Sequence, residues 1–145
     1  MLVDFYHLGT SPLERVLPRI GERLLETGER LLVVAGGLQL AQIDAQLWSY
    51  ARDSFLPHGL AEAANPDRQP ILLSEEPVPL NAARNLALAD GQWRDEALTF
   101  ERVFYLFDAG HIDDARANWR RLSKRDGVEC RYWKQDDKGK WVQGP

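Results

Sequence analysis

The chain has 145 residues, enough for one domain with a single core, and its 44% apolar and 28% charged content is that of a globular, not a disordered, chain. Cys130 is the only cysteine, which excludes an intrachain disulfide and a cysteine zinc site. The net charge of −4 argues against an overall basic grip on nucleic acid, so any anion-binding role must rest on a local patch.

No apolar run reaches membrane-spanning length, and Met1 to His7 has neither a basic n-region nor a cleavage site, so a cytoplasmic protein without a signal peptide is expected. Leu2 to Tyr6 reads as a first strand. Ser11-Pro12-Leu13-Glu14 is a helix start, with Ser11 as cap, Pro12 where a missing N–H costs nothing, and Glu14 at the capping-box position. Leu13, Val16, Leu17, Ile20 and Leu24 give this helix its buried face; Pro18 interrupts one backbone bond, and Gly28 is the stop.

Arg30 to Ala35 is a continuous apolar run, as a central strand covered on both faces requires. Gly36-Gly37 then turns the chain into a helix over about 38–50, in which Leu47 and Trp48 are assigned to the core. Strand, helix, strand, helix in this order predicts an α/β fold: a three-layer α/β/α domain around a mostly parallel sheet, spanning residues 1–145. Phe55-Leu56-Pro57-His58-Gly59 is irregular, and its aromatic and leucine fit an interface as well as a core. Further strands are expected at 70–74, 85–89, 102–107 and 128–134, with a turn at Asp136-Asp137-Lys138-Gly139 and a short edge at Trp141-Val142.

Little in the sequence points to catalysis. Ala35-Gly36-Gly37-Leu38 follows a strand and opens a helix, but it is neither GxGxxG nor a GK[ST] loop, and a tight turn explains it. His7, His58 and His111 lack metal-ligand spacing. Asp113 and Asp114 point about a quarter-turn apart, which suits a helix dipole better than a general acid/base pair.

The stretch from Ile112 to Trp133 reads as a basic helix, a glycine stop and a strand. Ile112, Ala115, Trp119 and Leu122 fall on its packing side. Arg116, Arg120 and Lys124, four apart, form a neighbouring stripe, with Arg121 and Arg125 further round. An aromatic edge rimmed by guanidiniums suits an acidic peptide ending in a bulky apolar residue, or a chain-terminal carboxylate. The pattern alone fits a solvated helix with a core-facing tryptophan somewhat better. Tyr132 and Trp133 are assigned to the strand that supports the helix.

Taken together, Val3-Asp4-Phe5-Tyr6, Leu47-Trp48, Ser54 to Gly59, Pro70 to Leu73, Arg102 to Asp108, Ala115-Arg116, Trp119-Arg120, Tyr132 to Gln135, Gly139 and Trp141 make the chain resemble, over essentially its full length, the chi subunit of bacterial DNA polymerase III holoenzyme. The resemblance implies a non-catalytic accessory subunit with a Rossmann-like fold that needs no nucleotide, cofactor or metal. It also implies two partners: the acidic C-terminal tail of single-stranded DNA-binding protein, which ends in aspartates, Ile-Pro-Phe and a free carboxylate, and the psi subunit, which leads to the clamp loader. DNA would then be reached only indirectly.

Carried over by position, the tail-binding arginine is Arg116, the family's aromatic is Trp119, and an adjoining lysine is Arg120. A further family lysine aligns at Ile112, a departure for which Lys124 is the candidate compensation. The psi-facing aromatic is Phe55, with Leu56 and Pro57 beside it. Two rivals stay in view. One is direct single-stranded DNA binding through the basic helix and tryptophans, disfavoured by the net charge. The other is a nucleotide-binding enzyme on the same fold, disfavoured by the missing phosphate loop.

Overall fold

A computed structural model describes residues 1–9, 11–50, 56–63 and 65–144; Phe55 lies outside these described residues. In chain order the elements are β1 (Leu2–His7), α1 (Leu13–Glu26), β2 (Leu31–Val34), α2 (Gly37–Trp48), β3 (His58–Leu60), β4 (Ile71–Ser74), β5 (Asn85–Leu88), β6 (Arg102–Phe107), α3 (Ile112–Leu122), β7 (Glu129–Gln135) and β8 (Trp141–Gln143). Short 3-10 turns lie at Pro66–Arg68, Asp95–Thr99 and Ala109–His111. The strands form one sheet in the order β3-β4-β2-β5-β6-β1-β7-β8. Every neighbouring pair is parallel except β7 and β8, so the expected α/β class with a mostly parallel sheet holds.

Strand alternation divides the core. Leu31 and Val33 of β2 join a cluster with Val16, Leu17, Ile20 and Leu24 of α1 and Leu40, Ile43 and Leu47 of α2. Leu32 and Val34 join a second cluster with Phe5, Tyr105 and Phe107 and with Ala115 and Leu122 of α3. Successive side chains of a strand point to opposite faces, so an unbroken apolar run such as Leu31–Val34 is what a strand between two apolar clusters needs. Each fully buried Leu, Ile or Val there contributes roughly 1.5–3 kcal/mol.

Helix α1 ends as expected at Gly28. Its φ of +75° is costly for residues with a Cβ, and it lets the Glu29 and Gly28 amides donate to the carbonyls of Leu24 and Leu25. The start differs from expectation. Pro12 holds the cap position without a side-chain bond, because Ser11 is bound elsewhere: its amide donates to Gln135 Oε1 (2.9 Å) and its hydroxyl accepts from Gln135 Nε2 (2.9 Å). A long-range tie to β7 has displaced the local capping box.

Two further differences lie at β3 and at the end of α2. Strand β3 has only three residues, too few to show alternation in the sequence. Trp48 is 58% exposed rather than in the core, with its ring 4.6 Å from that of His58, whereas Leu47 is buried as expected. Trp48 is the last residue of α2, one step round the helix from the face that Leu47 buries.

Candidate functional site

Helix α3 is held at its entry by Asp108, whose carboxylate accepts from the Gly110 amide (3.0 Å) and lies 3.0 Å from His111 Nδ1. The bond from His111 holds the Asp108 carboxyl below the usual range. Asp113 and Asp114 occupy the first turn and Arg120 and Arg121 the last, so both ends complement the helix dipole. Ala115 and Leu122 are buried against the sheet. Trp119 is only partly buried, with its ring edge-on to Phe5 (5.1 Å) and to Tyr132 (5.8 Å). Phe5 and Tyr132 are register partners across β1 and β7, so the sheet fixes the floor on which Trp119 rests.

Between α3 and these strands lies a surface pocket of about 530 Å³. Arg116, Trp119, Arg120 and Ile112 line it from the helix, and His7, Tyr132 and Lys134 from the strands. Thus three of the four residues expected on the tail-binding helix share one pocket. The fourth, Lys124, is not among the lining side chains: α3 stops at Leu122, so the stripe of four-residue spacing ends before reaching it. Lys134 supplies a third cation instead, from β7. Arg121 turns away to pair with Asp95 (3.1 Å).

Three lining residues were missed in the sequence. The sequence assigns Tyr132 to support alone, weighs His7 only as a metal ligand, and gives Lys134 no role. Period-two alternation places Tyr132 and Lys134 on one face of β7, and His7 with Phe5 on one face of β1. The missing information was that β1 and β7 are neighbours. Burial pushes the Tyr132 phenol up, and the nearby Arg116 charge opposes that rise. The pocket therefore combines an aromatic and aliphatic floor with three cationic side chains that are exposed and form no ion pair among the described residues. Chemically it can seat one apolar side chain while meeting carboxylates at its rim.

At the other expected surface, Leu56 is buried in the α1–α2 cluster and Pro57 is partly exposed. The glycine turn before α2 has an acidic neighbour, since a Cβ on Gly37 would collide with the Glu75 carboxylate. A phosphate at that helix start would meet like charge. Burial raises the Cys130 thiol, the opposite of an activated nucleophile. Among the described residues no three His, Cys, Asp or Glu side chains come together as metal ligands, and no helix is long and apolar enough to cross a membrane.

The reverse face of β1 and β7 is organised around Asp4, which is fully buried. Arg131 Nε donates to Oδ1 (2.7 Å) and its Nη2 to Oδ2 (3.1 Å). Arg102 donates to Oδ2 from Nε (3.1 Å) and Nη2 (2.9 Å), and Trp133 Nε1 donates to Oδ1 (3.0 Å). Burial by itself would raise this carboxyl, but the bonds from Arg131, Trp133 and Arg102 outweigh it and hold it below the usual range.

Residues 1–130 of the chain match the family described as DNA polymerase III chi subunit, HolC. No curated protein matches the chain significantly.

Proposed function

The chain belongs to the chi subunit family of DNA polymerase III and so is an accessory subunit of that polymerase, and from this premise we propose that it is a non-catalytic adaptor. Its α3 pocket receives the acidic C-terminal tail of single-stranded DNA-binding protein, and a second surface joins it, through the psi subunit, to the clamp loader. The observation that carries the first part is the meeting of Arg116, Arg120 and Lys134 around the partly exposed rings of Trp119 and Tyr132. The tail's terminal phenylalanine packs on those rings, its free carboxylate lies among the cations, and its aspartates meet the remaining positive charge. Ile112 replaces a cation with an aliphatic contact, and Lys134 makes up the charge from the adjoining strand. For the second surface, to which the resemblance assigns Phe55, Leu56 and Pro57, buried Leu56 ties Pro57 to the core and exposed Trp48 beside His58 adds an aromatic.

Because the cations are exposed, binding is moderate and falls with salt. Calorimetric titration with a tail peptide tests the site. Arg116→Ala combined with Arg120→Ala is expected to weaken affinity at least about tenfold, or about 1.4 kcal/mol, and a peptide with an amidated terminus is expected to bind more weakly than the free acid. Affinity unchanged by the double substitution would remove the pocket from this role. A pull-down comparing Phe55→Ala with Arg116→Ala is expected to lose two separate sets of partners; loss of one common set would defeat the two-surface reading.

A further inference from the structure

A second pocket, of about 330 Å³, opens on the Asp4 face of the sheet, between α1 and the β1–β7 strands. Five arginines line it: Arg15, Arg19 and Arg23 from α1, Arg102 from β6 and Arg131 from β7. No carboxylate or lysine is among the lining side chains. The three α1 arginines are four residues apart, which sets them on one side of the helix with a rise of about 6 Å between successive members. All three are exposed, and none of their side chains makes an ion pair or hydrogen bond among the described residues. The other two are fixed in place. Asp4 engages Nε and Nη2 of Arg102 and of Arg131, which leaves Nη1 of each without an acceptor among the described residues. The pocket lining itself carries five guanidiniums against the one buried carboxylate of Asp4, with Glu22 and Glu26 on the same side of α1 but outside the lining, so positive charge prevails at the pocket wall in a chain whose net charge is −4. Trp141, on the edge strand β8, lines the same pocket and is partly exposed.

We propose that this pocket binds the phosphate backbone of single-stranded nucleic acid, with Arg15, Arg19 and Arg23 tracking successive phosphates and Trp141 stacking a base. Arginine's planar fork matches phosphate oxygens in pairs, which accounts for a lining of arginines without lysines. A row of cations along a groove with an aromatic platform is the arrangement that holds single strands without reading sequence. The site lies on the opposite face of β1 and β7 from the α3 pocket, so the two are separable by substitution.

The test is fluorescence anisotropy of a labelled oligothymidine of about 15 nucleotides, titrated with the full chain at several salt concentrations. The triple variant Arg15→Ser, Arg19→Ser, Arg23→Ser removes only exposed, unpaired side chains, and circular dichroism checks that it stays folded. Wild type is expected to bind, and the triple variant to bind at least about tenfold more weakly, with the log–log salt slope reduced by about 2, or roughly 0.7 for each lost phosphate contact. Arg116→Ala with Arg120→Ala is expected to leave oligonucleotide binding within about twofold, a small change beside that tenfold loss. Trp141→Ala is expected to weaken binding and to reduce the quenching of tryptophan fluorescence by the oligonucleotide. No binding by wild type at low salt would overturn the proposal. So would loss of binding in the α3 variant instead of the α1 variant. Displacement of the oligonucleotide by an acidic peptide at equal charge concentration would also overturn it, by making the pocket a polypeptide site.

Discussion

The two faces of the β1–β7 strand pair differ in how the cations borne by the strands are held: Lys134 is exposed toward α3, while Arg102 and Arg131 are tied to Asp4 toward α1. Toward α3, Arg116, Arg120 and Lys134 stand exposed around aromatic rings with no acid paired to them among the described residues, so their charge is available. Toward α1, Arg102 and Arg131 are locked to buried Asp4, and they hold part of the sheet's interior together before they can hold anything else. Neighbouring residues fall on different sides of this divide: Tyr132 lines the first pocket and Trp133 the second. Strand period two does the sorting, and a slip of one residue in β7 would exchange the two chemistries. The comparison teaches that a cation's surroundings, not its charge, decide whether it serves folding or binding.

The largest expected break in this contrast comes from Asp4→Ala. It strands two guanidiniums and an indole N–H, and it is expected to cost about 3 kcal/mol. That is the low end for breaking a buried ion pair, because the arginine side chains are 35% and 32% exposed. Denaturant titration would read this as a lower midpoint at unchanged slope. A loss below about 1 kcal/mol would mean that the arginines are anchored by other contacts.

Trp119→Ala is next. It is expected to cost about 2 kcal/mol, less than truncation of a fully buried tryptophan, and to weaken tail binding as well. Its counterpart, Arg116→Ala with Arg120→Ala, is expected to weaken tail binding while leaving the melting temperature nearly unchanged. A clear drop in that temperature would move these arginines to the structural side of the comparison.

Acid sharpens the same contrast. The folded Asp4 carboxyl titrates below its unfolded value of about 3.9. Its stabilisation is therefore complete above that value and is lost as pH falls through the lower, folded one. Below about pH 4, wild type is expected to lose stability more steeply than Asp4→Asn, as measured by thermal melts across that range. Parallel curves would show that other carboxylates dominate acid unfolding. The smallest effect expected is that of Ser11→Ala, about 1 kcal/mol for the lost bond to Gln135; a larger loss would restore a capping role that the geometry does not display.

Much of the fold was legible because its signals are local. The runs at 31–34 and 102–107 and the stop at Gly28 each follow from the chemistry of a few adjacent residues. What failed was what depends on partners distant in sequence. Ser11 looked like a cap because Gln135 was invisible to a local reading. His7, Tyr132 and Lys134 each had the right periodicity, but nothing marked their strands as neighbours. Spacing places Arg116, Trp119 and Arg120 on one helix and the family resemblance singles them out, whereas neither signal assigns the strand residues to the pocket. Lys124 differs in another way: the four-residue spacing runs on to it, but α3 ends at Leu122 and Lys124 does not line the pocket.

The place of β1 in the sheet also bears on how the chain folds. It lies between β6 and β7, pairing Leu2 with Arg102 on one side and with Glu129 on the other. The bond from Arg131 to Asp4 spans 127 positions. Contacts so distant in sequence close late and slow folding. During synthesis the first strand waits for β6 until residue 107 and for β7 until residue 135, while β2 can already pair with β4 and β5. Both pockets are built on that late-closing seam, so a chain that has not yet made β7 presents neither.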